Sequence, residues 1–140
     1  MAIIMQEPAL MEFLARDFAQ VADDFTITRV EEDLLEVRLN VEDRHLRPGG
    51  TVSGPSMFAL ADVAVYLAIL SRLGPVALAV TTNCSIDFMR KPAAGRALVA
   101  QARLLKLGRV LAVGDVLIRS EGESAPVARA GLTYSIPPAR

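Results

Sequence analysis

The longest stretch of hydrophobic positions in the 140-residue chain lies between Gly54 and Gly74, GPSMFALADVAVYLAILSRLG. A proline inside its first turn and a glycine at its end predict a helix over about 54–73. From Met57 to Leu70 only Asp62 and the Tyr66 hydroxyl are polar, so the helix has no face to give to water and is expected to be buried on most sides. At about 1.5 Å per residue it spans roughly 30 Å, a length that also fits a bilayer. Pro55, Asp62, Arg72 and the alternating segments on either side favour a core helix instead.

Those flanking segments read differently. Pro8 to about Val21 places Leu10, Met11, Phe13, Leu14, Phe18 and Val21 at helical spacing, which predicts a short amphipathic helix. Phe25 to Val30 is a strand candidate, and Leu34 to Val41 alternates strictly, Leu35, Val37, Leu39 and Val41 against Glu36, Arg38 and Asn40. After Gly74-Pro75 the chain is β-like to its end. Leu78, Val80, Thr82, Cys84, Ile86 and Phe88 alternate with a mostly small and polar set, and strand-length runs follow at 96–106, 109–120 and 127–136, separated by turn residues. One long apolar helix and one antiparallel sheet have an economical arrangement, the sheet curled around the helix so that each buries the other.

Composition narrows the chemistry. A chain of 140 residues is expected to form one domain over 1–140, and 52% hydrophobic with 22% charged residues makes it globular and apolar enough to suggest a buried subunit interface. With 15 basic and 16 acidic residues there is no electrostatic footprint for nucleic acid or for an anionic membrane. One cysteine, Cys84, leaves no internal disulfide, and one histidine, His45, argues against a zinc site or a nucleophilic triad. The opening MAIIM is too short for a signal segment and has no basic flank, so a cytoplasmic protein is expected.

Asp62 does not fit the pattern of its helix. Its neighbours three and four positions away are Phe58, Ala59, Val65 and Tyr66, and none can neutralise it. A carboxylate in such surroundings costs several kcal/mol of lost hydration unless it finds a partner. It either pairs with a distant group or serves chemistry. The loop Glu42 to Ser53, with Pro48-Gly49-Gly50 before the helix start, is either an active-site loop or a plain connection.

The order of elements and the wording of several segments resemble the hotdog-fold acyl-CoA thioesterases, and most closely their phenylacetate-pathway (PaaI-like) family. That family's signature is roughly Asn-x-x-Gly-Thr-x-His-Gly-Gly, then a helix carrying Leu-Ala-Asp-x-Ala. The matching residues are Arg47-Pro48-Gly49-Gly50-Thr51-Val52-Ser53-Gly54-Pro55 and Leu60-Ala61-Asp62-Val63-Ala64. Asp87-Phe88-Met89-Arg90-Lys91-Pro92-Ala93 with Gly95, Leu107-Gly108-Arg109, and Ala130 to Pro137 are similar too, so the likeness covers about residues 34 to 137. The resemblance implies an α+β hotdog fold, an antiparallel sheet wrapped around a long buried helix, and hydrolysis of an acyl-CoA to free acid and CoA with no metal or other cofactor.

It also implies roles. The residue matching Asp62 attacks the thioester or activates water, and the N–H matching Gly54 polarises the carbonyl. Physical reasoning agrees on the second, because an N–H at a helix start is unsatisfied and sits at the positive end of the macrodipole. Eight positions on one helix separate Gly54 from Asp62 by about 12 Å, too far for both to touch one carbonyl. A complete site then combines Gly54 of one chain with Asp62 of another. The chain is expected to be at least a dimer, and a tetramer by the habit of the family.

The departures are specific. Ser53 stands where the family has histidine, Arg47 where it has asparagine, and Pro55 where it has a second glycine. Ser53 either donates in the site or caps the helix. Arg47 either pairs with a partner's Asp62 or binds an acidic acyl group. Tyr66 and Phe58 line the acyl pocket or simply pack, Asn83 reaches the site from the next strand, and Arg90, Lys91 and Arg109 hold CoA phosphates or are solvated turn charges. His45 reads as a loop residue. Two other readings compete with the hydrolase: an acyl-CoA or small-ligand binding protein without turnover, and a thioester hydratase, which needs a catalytic histidine that the helix lacks.

Overall fold

The computed structural model describes residues 2–138; Met1, Ala139 and Arg140, the ends of the expected 1–140 domain, lie outside the described residues. Six strands form one antiparallel sheet: β1 (Phe25–Glu31), β2 (Leu34–Leu39), β3 (Val80–Phe88), β4 (Leu98–Leu107), β5 (Leu111–Ser120) and β6 (Pro126–Ser135). Their order across the sheet is β1-β2-β4-β5-β6-β3, so β1 and β3 are its edges. Among the described residues three α-helices accompany the sheet, α1 (Glu7–Asp17), α2 (Ala19–Ala22) and α3 (Gly54–Leu73), with a short 3-10 turn at Asp43–His45.

The α3 helix begins and ends where its punctuation predicts. The Ser53 hydroxyl accepts from the Ser56 N–H at 3.3 Å, Pro55 occupies the first turn, and Gly74 stops the helix at φ 88° with its N–H on the Leu70 carbonyl at 2.9 Å. Leu60, Ala64, Val65, Leu67, Ile69 and Leu70 are fully buried, mostly against β2, β4 and β5. Helix and sheet approach closely: a Cβ on Gly114 of β5 would come within 2.9 Å of both Val65 methyl groups. By length and composition α3 could cross a membrane, and here two thirds of its apolar window is buried by the protein instead. The antiparallel sheet around a long buried helix is the α+β hotdog architecture expected from the sequence.

Two sequence expectations change. The helix anticipated over 8–21 breaks at Phe18, whose φ of −139° and ψ of 49° leave helical space, and the break turns its ring edge-on to Tyr66 at 6.1 Å. Along β3 the simple alternation fails because the register to β6 shifts between Thr81 and Asn83, leaving Thr82 as an extra residue. Past that bulge Cys84 and Ile86 face the core, and before it Thr81 does; Leu78 and Val80, which the alternation sets on one side with Cys84 and Ile86, are 69% and 57% exposed.

Candidate active site

The loop before α3 is a rigid mount for the helix start. Glu42 and His45 form a capping box on a short 3-10 turn, with the Glu42 N–H donating to His45 Nδ1 at 2.9 Å. Arg44 holds Glu42 and Asp24, and the His45 carbonyl accepts from the Ser53 N–H at 2.8 Å. A turn over Arg47-Pro48-Gly49-Gly50, closed by the Gly50 N–H on the Arg47 carbonyl at 3.0 Å, brings Arg47 back to Thr51. Gly49 and Gly50 take φ of 104° and 84°, conformations open to glycine. His45 is thus a buried structural residue, in keeping with its reading as a loop residue.

This mount presents Gly54 to a groove of about 670 Å³ lined by Arg47, Val52, Met57, Phe88, Arg90 and Lys91, among others. Among the described residues no acceptor reaches the Gly54 N–H, as its place in the first turn requires. Three cations, one free N–H and no carboxylate make the groove attractive to anions, with apolar walls from Met57, Phe88 and Met89. Arg90 is tied by Nε to the Pro126 carbonyl at 3.1 Å. The guanidinium of Arg47 makes no ion pair among the described residues.

Asp62 opens on a second groove, of about 420 Å³, with Asp17, Phe18, Tyr66, Val80, Thr81 and Tyr134 among its walls. Its half-buried carboxylate has no cation among the described residues. Instead, Oδ1 accepts from two hydroxyls, that of Thr81 and that of Tyr134, the latter at 2.7 Å. Tyr134 is buried, and burial first, then the charge of Asp62, pushes its phenol far above the ordinary tyrosine range. Burial and then Asp17 raise the Tyr66 phenol as well, and its O–H donates to the Ala77 carbonyl at 2.9 Å. Burial, with Asp62 second, raises the Cys84 thiol, so this cysteine is a poor nucleophile.

The expected site residues therefore divide. Gly54, Arg47, Arg90 and Lys91 share one groove, while Asp62 and Tyr66 share the other. Ser53 spends its hydroxyl on the helix cap and on Ser56. Phe58 is 40% exposed and Asn83 is exposed on the edge strand, and neither is among the walls of these two grooves. Arg109 sits in the β4–β5 hairpin, whose far side pairs Leu111 with Ser135, the end of the sheet opposite Arg90. Among the described residues no three His, Cys, Asp or Glu side chains gather as metal ligands.

Comparison with known proteins decides the family. A family model described as the thioesterase superfamily matches residues 49–127, from the glycine turn through α3 to β6. The chain belongs to the thioesterase superfamily. The crystal structure of a "putative thioesterase" from a Silicibacter species is 59% identical, with TM-score 0.92 over 99% of this chain and 96% of that one. A variant of the phenylacetic acid degradation protein PaaI from Thermus thermophilus is 28% identical, with TM-score 0.72 over 85% of this chain and 99% of that one. A Streptococcus mutans protein solved with acetyl CoA is 26% identical, with TM-score 0.70 over 83% and 90%. Among curated sequences, a Deinococcus radiodurans protein named "Putative esterase" is 37% identical over 111 residues, 78% of this chain and 73% of its own length. The superfamily match and the thioesterase and PaaI neighbours support acyl thioester hydrolysis as the general chemistry.

Two residues at Asp62 were not singled out from the sequence. Thr81 was hidden by the bulge, which reverses the face it occupies. Tyr134 did carry a signal, since it alternates with Leu132 on the buried face of β6 and with Ile136 just past its end, where a phenol needs a hydrogen-bond partner.

Proposed function

We propose that this protein is an acyl-CoA thioesterase whose active unit contains at least two chains, with Asp62 of one and Gly54 of another at each site. The observation that carries the reading is the Asp62 carboxylate: half-buried, without a cation among the described residues, held by hydroxyls at the edge of an aromatic groove. Folding gains nothing from such a group, whereas a base or nucleophile needs it. The thioester carbonyl accepts from the Gly54 N–H, and negative charge growing on that oxygen is stabilised by the helix terminus. Acting as base, Asp62 takes a proton from water as the water oxygen adds to the carbonyl carbon, and passes it to the departing CoA thiolate as the C–S bond breaks. Acting as nucleophile, Asp62 adds through its own oxygen and the C–S bond breaks to release the CoA thiolate. Water then hydrolyses the mixed anhydride to the free acid, restoring the carboxylate and supplying the thiolate's proton.

Both grooves lie on one α3, with eight positions between Gly54 and Asp62, and this separation supports assembly of the site between chains. The β3 edge supports self-association too, since its outer side has no partner strand among the described residues and it carries Val80 and Phe88 at 57% and 53% exposure. In this reading Arg47, Arg90 and Lys91 hold CoA phosphates or position the thioester, and Tyr66 walls the acyl group. An acetyl CoA molecule on the Streptococcus mutans relative supports a CoA ligand. The capping role of Ser53, at the family's histidine position, favours a second reading, binding without turnover. Release of free thiol from aliphatic, aromatic and dicarboxylic acyl-CoAs, with the native protein beside Asp62→Asn, separates the two. Turnover that falls about a hundredfold or more in the variant establishes the enzyme. Tight CoA binding with no turnover of any substrate overturns it.

A further inference from the structure

Thr81 on β3 and Tyr134 on β6 are direct cross-strand partners, and the bulge at Thr82 follows at once. Their hydroxyls converge on one atom, Asp62 Oδ1. A carboxylate oxygen has two lone pairs in its plane, and two donors occupy both. The Tyr134 oxygen also lies 2.9 Å from the Asp62 backbone carbonyl, so the phenol touches both ends of the same residue and opposes rotation of its side chain. Among the described residues no donor reaches Oδ2.

The phenol is itself immobilised. Tyr134 is 3% exposed, and its ring stacks on Tyr66 at 6.2 Å and 29°. Tyr66 is fixed in turn by its bond to the Ala77 carbonyl and by the Phe18 edge. With its proton strongly held, Tyr134 stays a donor at any pH where the protein works.

We infer that Tyr134 is a positioning residue for the reaction: with Thr81 it forms a two-hydroxyl clamp that saturates Oδ1 and leaves Oδ2 as the oxygen that takes the proton or attacks. The inference rests on the reading of Asp62 as the catalyst. It assigns a task to an aromatic residue that otherwise looks like core, and it explains why the bulge falls where it does. Without the extra residue at Thr82, no single strand geometry would turn Thr81 toward α3 and also keep Cys84 and Ile86 on the core.

The test is steady-state kinetics and melting of native protein, Asp62→Asn, Tyr134→Phe, Thr81→Val and Thr81→Ser on the best acyl-CoA of the panel. Tyr134→Phe keeps the ring and its stacking, so it is expected to fold and to bind substrate with KM unchanged. Its kcat should fall about ten- to a hundredfold, the effect of losing one hydrogen bond to a charged group. Thr81→Val should fall by a similar factor, and Thr81→Ser, which restores the donor, should recover most of the rate. A Tyr134→Phe enzyme with native kcat, or one in which only KM rises, overturns the clamp while a dead Asp62→Asn leaves the thioesterase reading standing. Equal rates for Thr81→Ser and Thr81→Val overturn it as well, even where stability has dropped. Native protein without turnover on any substrate overturns both readings together.

Discussion

The Phe88 ring closes on Gly54: a Cβ at that glycine would stand 3.3 Å from the ring's outermost carbon. Phe88 is half exposed at the end of the edge strand and can swing aside, so Gly54→Ala is expected to fold normally, with its melting temperature within about 5 °C of native. The added methyl would nonetheless crowd the approach to the N–H. On the thioesterase reading, kcat/KM should fall about tenfold or more, part of what losing an oxyanion donor costs. Native activity in the variant removes Gly54 from the site.

Ser53 separates a capping role from a chemical one. Its hydroxyl accepts from the Ser56 N–H and donates to the Ser56 hydroxyl. Ser53→Ala is expected to lose about 0.5–2 kcal/mol of stability, while Ser53→Gly loses only a few tenths. Both should keep the native kcat. A collapse of kcat with stability preserved would show instead that the serine has inherited the work of the family's histidine.

The overall fold was legible because its strongest signals are local. An unbroken apolar helix has to be enclosed, and alternating strands joined by glycine turns supply the sheet that encloses it. Asp62 was legible for the converse reason, a charge where packing offers no use for one. What could not be read depends on register and distance. One extra residue at Thr82 moves Thr81 onto the helix side, and periodicity carries no trace of it. The partner of Asp62, Tyr134, lies 72 positions away. The outward face of Asn83 follows from the bulge at Thr82, and the separation of Arg109 from Arg90 and Lys91 from the register of β3, β5 and β6, which sets the two turns at opposite ends of the sheet.

Gly114 and Gly131 make a paired test of how tightly α3 lies on the sheet. A methyl on Gly114 would overlap both methyl groups of Val65, a fully buried residue with no room to yield. Gly114→Ala should therefore cost about 1–3 kcal/mol by overpacking. Gly131, on the adjacent β6, has no atom within 4 Å of the same point, and Gly131→Ala should be neutral or add up to about 1 kcal/mol. Urea midpoints for the two variants check the contrast, and equal midpoints would mean that the helix rides higher than described.

The cation groove predicts a salt-dependent KM. Arg47, Arg90 and Lys91 line it with no carboxylate among its walls, whereas Arg109 lies at the other end of the sheet. Arg90→Ala and Lys91→Ala should each raise KM for acyl-CoA by up to about fivefold at low ionic strength, an exposed-charge effect that added salt erases. Arg109→Ala should leave KM unchanged if CoA lies along one chain's groove. A rise in KM for Arg109→Ala would place the nucleotide across the assembly, on a second chain's hairpin.

Alkaline pH should unfold the protein through its tyrosines. The chain has two, Tyr66 and Tyr134, and the folded structure raises both phenols above the ordinary value of 10.0, burial being the larger cause in each. Between the unfolded and folded values the native state binds more protons than the unfolded one, so stability falls as pH rises. The stabilisation is complete below about pH 10 and drains away above it. Denaturant midpoints should hold level to about pH 9 and decline steadily beyond about pH 10, with phenolate absorbance appearing together with unfolding rather than before it. Tyr134→Phe should decline less steeply, because it removes the group with the larger shift. Phenolate appearing in the native protein near pH 10, ahead of any unfolding, would mean that Tyr134 is not sealed against Asp62 as described.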